Sequence, residues 1–162
     1  MRKIFGATLC AVLLTAPAGA ANFVKNPGFA AGIDPWWKTP MSLKMSVVEG
    51  TLCMNVPGGT VELWDVIIGQ NDVPLKTGVK YRFSFKAQAK PNATIRALVQ
   101  IPMPPWTPYA SIDQELTAEL TSYSVDFTPA EGRKNAQVAF QFGGGKEPWI
   151  LCLDDVAVSN LK

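Results

Sequence analysis

The side chains best suited to chemistry in this chain are amides, one guanidinium and a set of aromatic rings. In Gln137-Val138-Ala139-Phe140-Gln141-Phe142 three large apolar side chains alternate with Gln137, Ala139 and Gln141. A strand sends alternate residues to opposite faces, so Val138, Phe140 and Phe142 face a core and two amides flanking a small residue share the other face. Each amide both donates and accepts hydrogen bonds. By the same period Arg96, Leu98 and Gln100 share a face in Thr94 to Gln100 and can extend that polar floor. The indoles and phenols stand on turn-rich stretches: Trp36 and Trp37 after Asp34-Pro35, Trp64 before Asp65-Val66-Ile67, and Trp106 and Tyr109 in Ile101-Pro102-Met103-Pro104-Pro105-Trp106-Thr107-Pro108-Tyr109. The prolines stiffen that last stretch, so its rings lose little entropy on gripping a ligand. Trp36 is the indole expected in the core. Apolar planes bordered by amides and a guanidinium suit a sugar chain, whose ring faces are C–H and whose edges are hydroxyls.

Other chemistries are poorly supplied. The chain has no histidine. That excludes a His-based triad, His-ligated zinc and a histidine pH switch. Glycoside cleavage needs two carboxyls facing one bond. Asp65, Asp113, Glu115 and Glu119 are the only acids near the presumed binding loops, and no pair among them is evident, so no enzyme activity is expected.

The N-terminus reads as an export signal over residues 1–20. Arg2 and Lys3 precede an apolar run, Ile4 to Thr15, and Ala18-Gly19-Ala20 offers small residues for cleavage before Ala21. Cys10 lies within that run. Removing Arg2 and Lys3 takes two of the fifteen basic residues and leaves the rest equal to the thirteen acidic ones. No basic face for nucleic acid and no basic amphipathic helix for a membrane surface is then evident. A secreted or periplasmic monomer is expected. Cys53 and Cys152 remain, and in an exported protein their default is a disulfide, with two buried thiols as the alternative.

The elements that must position these groups read as strands. Of 162 residues 48% are hydrophobic and 17% charged, with 13 Gly and 13 Pro. This suits one packed domain of short elements and turns, residues 21–162. Tyr81 to Ala87, Tyr123 to Phe127 and Gln137 to Phe142 alternate; Thr94 to Gln100, Val47 to Met54 and Trp149 to Val158 are further strands. Asp113 to Leu120 is the one helical candidate. An all-β antiparallel sandwich follows.

Taken in order, these stretches resemble the carbohydrate-binding modules of families 4 and 9, the family 4 type in particular. The resemblance runs from Asn26 to Val158. It is carried by Asn26-Pro27-Gly28-Phe29, Leu52-Cys53-Met54-Asn55-Val56-Pro57-Gly58-Gly59, Trp64-Asp65-Val66, Gly78-Val79-Lys80-Tyr81, Thr94 to Val99, Gln137 to Gly144 and Cys152-Leu153-Asp154-Asp155-Val156. It implies a β-sandwich jelly roll with a concave face that binds a single polysaccharide chain without cutting it, a β-glucan or alternatively xylan. It implies that Cys53 and Cys152 pair, that Arg96, Gln137 and Gln141 hydrogen-bond sugar hydroxyls, that Tyr109 stacks, and that Gln70 and Gln100 fall near polar cleft positions. Trp37, Trp64 and Trp106 are the candidate apolar platforms. Thr39 stands where some members have a stacking Tyr, and Trp37 is placed to compensate. Members often hold a structural calcium ion, for which Gly28 and Gly50 match the backbone ligands and Asp154 the carboxylate; Ala30 stands where relatives are acidic. Two other readings stay open at this point: an exported protein-interaction or cell-surface domain, and a small hydrolase acting on glycosyl bonds.

Overall fold

A computed structural model describes residues 20–161. The apolar N-terminal run and Cys10 lie outside them. Ten strands form: β1 (Trp37–Thr39), β2 (Lys44–Val48), β3 (Thr51–Val56), β4 (Ile67–Leu75), β5 (Tyr81–Lys90), β6 (Ala93–Gln100), β7 (Pro108–Leu116), β8 (Thr121–Phe127), β9 (Arg133–Gln141) and β10 (Trp149–Asn160). They make two five-stranded sheets, β1-β4-β9-β6-β7 and β2-β3-β10-β5-β8, in which every pairing is antiparallel. The result is the expected all-β sandwich. Among the described residues no helix is long and apolar enough to cross a membrane.

Alternation explains the layers. Tyr81, Phe83, Phe85, Ala87 and Ala89 of β5 are buried, and so are Ala136, Val138 and Phe140 of β9. Phe140 lies at the centre of an aromatic cluster, with ring centroids 5.1 Å from Phe85, 6.1 Å from Phe83 and 6.3 Å from Trp36. In β10 the phase changes. Leu151 and Leu153 face inward, then Val156 and Val158, because a bulge falls between Asp154 and Ala157 with Asp155 at φ 48. One extra residue at a bulge restores inward phase.

Two expectations about elements are corrected. Val47 to Met54 is not one strand: β2 and β3 are joined by Glu49 and Gly50, at φ 51 and 81. Two left-handed residues are what a tight hairpin turn demands. The segment expected to be helical begins instead as the end of β7, with Ile112 and Leu116 turned inward and Ser111, Asp113 and Glu115 outward. Pairing with β6 overrides the local helix preference of Gln and Glu.

Cys53 and Cys152 face each other across β3 and β10 and form the disulfide. In the chain-entropy account a link closing so long a loop stabilises by up to about 4–5 kcal/mol, of which disulfides typically deliver about 2–4 kcal/mol. Chemical denaturation of the oxidised protein and of Cys53→Ser/Cys152→Ser should differ by that amount; equal midpoints would contradict it.

Candidate functional site

The outer face of the β1-β4-β9-β6-β7 sheet carries most of the candidate residues. Register fixes its rows. Trp37 pairs with Gly69, Gly69 with Ala139, Ala139 with Leu98, and Leu98 with Ser111. These positions make a mostly apolar stripe perpendicular to the strands. Leu98 is only 5% exposed, yet it lies outside the core cluster, on this outer face. On one flank lies a second row, Thr39, Ile67, Gln141, Arg96 and Asp113, each paired in turn. On the other flank Gln137 pairs with Gln100. Adjacent rows lie about 7 Å apart, two residues along a strand, and the five strands span roughly 19 Å.

The polar groups of the two flanks behave differently. Gln100 Nε2 donates to Gln137 Oε1 at 2.8 Å, Gln137 Nε2 donates to Asn71 Oδ1 at 2.9 Å, and Trp37 Nε1 donates to the same Asn71 oxygen at 3.2 Å. This relay crosses β6, β9 and β4 and ends on the β1 indole. It fixes which end of each amide is spent: Asn71 Oδ1 takes two donors, so its NH2 group is left for a ligand, and Gln100 Oε1 is left as an acceptor. On the opposite flank Arg96 donates through Nε to Asp113 Oδ1 (2.6 Å) and through Nη2 to Oδ2 (3.1 Å). That fork holds the guanidinium flat and leaves Nη1 to donate outward. The Gln141 amide beside it has no hydrogen-bond partner among the described residues.

Gly69 makes the stripe possible. A Cβ there would collide with Trp37 Cζ2 and sit 2.7 Å from the Val138 carbonyl oxygen. The indole therefore lies against bare backbone, an approach only glycine permits. Trp37 thus presents a ring on this face where Thr39, farther along β1, offers only a hydroxyl.

Of the expected site residues the sheet brings together Trp37, Arg96, Gln100, Gln137 and Gln141. Tyr109 borders them, the unpaired residue at a bulge in β7 opposite Val99 and Gln100, half-buried with one flank against the core. Trp64 and Trp106 are each 53% exposed and stand on loops at the margins. Trp64 occupies the 3-10 turn before β4, and Trp106, at φ 51, occupies the turn between β6 and β7. The proline-rich loop closes on itself, Ile101 N–H to Thr107 O and Trp106 N–H to Met103 O, and leaves Pro104, Pro105 and Trp106 exposed.

Gln70 is corrected. It shares the phase of Ile68 and pairs with Val138, so it points to the core side of the sheet. Its amide is spent on Lys25, accepting from the backbone N–H at 2.7 Å and donating to the carbonyl at 2.8 Å. It anchors the N-terminal segment and is not a cleft residue. Asn71, next in sequence, is the one on the open face. It keeps the outward phase of Ile67 and Gly69, and sequence alone missed it because no strand was read over Ile67–Leu75. Asp113 was missed as the partner of Arg96 for a related reason: its strand read as helix.

The carboxylates do not suit a hydrolase. Backbone N–H groups of Glu62 and Val61 hold the Asp65 carboxyl below its ordinary value, and the Arg96 hydrogen bonds do the same for Asp113 against partial burial. A general acid needs the opposite shift.

The calcium positions are adjacent. An ideal Cβ on Gly28 would lie 3.5 Å from Asp154 Oδ1 and 3.9 Å from Asp155 Oδ1. Gly50 precedes Thr51, just beyond the last β3–β10 pair, Leu52 with Leu153. These are oxygen donors of the kind calcium takes, but the ion wants six to eight, and Asp155 Oδ2 already holds Lys86 at 2.7 Å. The set fits in kind and is thin in number. Among the described residues no group of three or more His, Cys, Asp or Glu could hold a metal.

Two measurements check this geometry. Gly69→Ala should displace the Trp37 indole, move its N–H resonance and cost about 1–3 kcal/mol of stability, as overpacking does; an unchanged resonance would contradict the stacking. Asp113 should titrate below 3.8, and its pKa should rise in Arg96→Met, where the hydrogen bonds that lower it are gone. Because its folded pKa is depressed, its contribution is present above 3.8 and is lost as pH falls through the lowered value. Identical titration in both proteins would contradict the pair.

The family described as "Carbohydrate binding domain", the modules of families 4 and 9, matches residues 21–148. Endoglucanase C of Cellulomonas fimi is 30% identical over 150 residues, covering 87% of this chain and 14% of that enzyme. The chain thus spans about a seventh of that relative. A solved CBM4 structure superposes with TM-score 0.76 at 29% identity, covering 82% of this chain and 99% of its own. The N-terminal cellulose-binding domain of β-1,4-glucanase C from Cellulomonas fimi does so with TM-score 0.67 at 28% identity, covering 88% and 99%. This chain belongs to the family 4 and 9 carbohydrate-binding modules, and as a domain it binds carbohydrate and is not an enzyme.

Proposed function

We propose that the domain holds one polysaccharide chain across the strands of the β1-β4-β9-β6-β7 sheet, a β-glucan in preference to xylan. The observation that carries this is the stripe Trp37, Gly69, Ala139 and Leu98 between two polar rows. A flat sugar ring places its C–H face on the stripe and its hydroxyls over the flanks. On one side Asn71, Gln137 and Gln100 meet them, and on the other Gln141 and Arg96. Tyr109 adds a stacking face at the far strand, and Trp64 and Trp106 guard the margins. The Cellulomonas fimi cellulose-binding domain supports a β-1,4-glucan as first choice. Residues 1–20 act as the export signal in this reading, and the disulfide suits an oxidising destination, secreted or periplasmic. A structural calcium ion at Gly28, Gly50 and Asp154 belongs to the same proposal; its chemistry there would be to tie the N-terminal segment to β10.

Calorimetry against soluble cello-oligosaccharides, mixed β-glucan, xylan and laminarin tests the function. Each hydrogen bond contributes about 0.5–1.5 kcal/mol net, so Gln141→Ala should weaken binding roughly 2- to 10-fold with the melting temperature unchanged. Tyr109→Ala should weaken it similarly. No heat with any glycan at millimolar sugar would end the proposal. For the ion, thermal unfolding in calcium should exceed that in chelator, and the difference should vanish in Asp154→Ala; identical curves would remove calcium from the account.

A further inference from the structure

We propose that a hollow at one end of the sandwich is a second sugar site, taking a single-sugar side branch of a glucan whose backbone lies on the sheet. The inference rests on the proposed function and adds a preference for a branched ligand. The hollow has a volume of about 570 Å³ and is lined by two loops, the β5–β6 hairpin and Trp149. Its rim is laced together. Gly59 N–H donates to the carbonyls of Gly145 and Lys146, Gly143 N–H to Leu63 O, and Gly144 N–H to Thr60 Oγ1. A rim so tied is formed before any ligand arrives, which lowers the cost of binding.

The floor carries a donor that no protein group engages. Trp149 is 93% buried, being 7% exposed, and Nε1 is among its atoms nearest Gly145, 3.7 Å from an ideal Cβ there. Of the indole N–H groups, Trp37's finds an acceptor among the described residues, and Trp36's is the one sealed off without any. Trp149's is neither: it has no acceptor among the described residues and opens on the hollow. An N–H that no protein group takes and that water reaches is free to donate to a sugar hydroxyl in place of that water. Asn92 and Thr94, an amide and a hydroxyl residue, line the same space, as does Glu62, whose backbone lies against Gly143 and Gly144. Such mixed donors and acceptors recognise a neutral sugar.

Position supplies the link to the sheet. Thr94 lies two residues from Arg96 on the same face of β6, and Gly143 lies two residues beyond Gln141. The hollow therefore begins about 7 Å past the Gln141–Arg96 row, at the edge of the sheet face. In a β-1,4-linked ribbon alternate C6 positions project to opposite edges, so a substituent on one edge is directed there.

The test follows the indole N–H resonances of Trp37 and Trp149 during titration with linear cellotetraose and with a xylosyl-branched cellotetraose. Linear sugar should move Trp37 and leave Trp149 in place. Branched sugar should move both and bind about five-fold tighter, the factor one net hydrogen bond supplies. Trp149→Phe and Thr94→Val should each reduce that advantage without changing affinity for the linear chain. If Trp37 moves but Trp149 does not, and branching brings no gain, the hollow proposal falls while glycan binding on the sheet stands. If neither indole moves with either sugar, both fall.

Discussion

Burial of Phe140 fixes the phase of β9, and the phase of β9 determines what the open face offers. Phe140 sits among Trp36, Phe83 and Phe85 with no exposure to solvent. A one-residue slip of this strand would expose Phe140 and Val138 and drive Gln137 and Gln141 into the core. Each lost apolar side chain costs about 1.5–3 kcal/mol, and each amide buried without a partner about 1–3 more. Together they approach the whole stability of a domain, which is about 5–15 kcal/mol. The two glutamines therefore stay outward because two hydrophobes must stay inward, and Ala139 between them keeps the face low.

Pairing spreads that choice over the sheet. With β9 set, antiparallel register places Gly69 on one side of Ala139 and Leu98 on the other, and places Arg96 beside Gln141. The amide relay then turns a row of flexible side chains into a fixed pattern of donors and acceptors, because Gln100 and Asn71 each have one end committed and Gln137, between them, has both. Arg96 is pinned by a different device, the carboxylate of Asp113. Both devices reduce the rotamer entropy lost when hydroxyls arrive. The indole of Trp37 is held twice, by the bare backbone of Gly69 beneath it and by Asn71 at its nitrogen.

Much of this was legible from alternation. The faces of β5, β6, β8 and β9 could be read residue by residue, and with them Arg96, Gln100, Gln137 and Gln141. The disulfide was legible from the expected export signal and from the family resemblance. What escaped did so where the period breaks or was not read. Asn71 lay on a strand that was not read at all, the bulge after it re-phases Val73 into the core, and the Glu49–Gly50 turn split one apparent strand into two. β7 carries an alternation of its own, Ser111, Asp113 and Glu115 against Ile112 and Leu116, but its Gln, Glu and Leu content spoke for a helix. Only pairing with β6 decides such a segment. Trp149 gave no signal beyond being apolar, since the direction of its N–H shows only when its surroundings are assembled.

The most direct check on the central claim is methyl NMR of the free protein titrated with a soluble cello-oligosaccharide. If the chain lies on the stripe, the Ala139 and Leu98 methyls shift together with the Gln141 side-chain amide, while Ala157 on the opposite sheet stays still. Shifts at Ala157 with Ala139 unmoved would place the glycan on the wrong sheet and contradict the account.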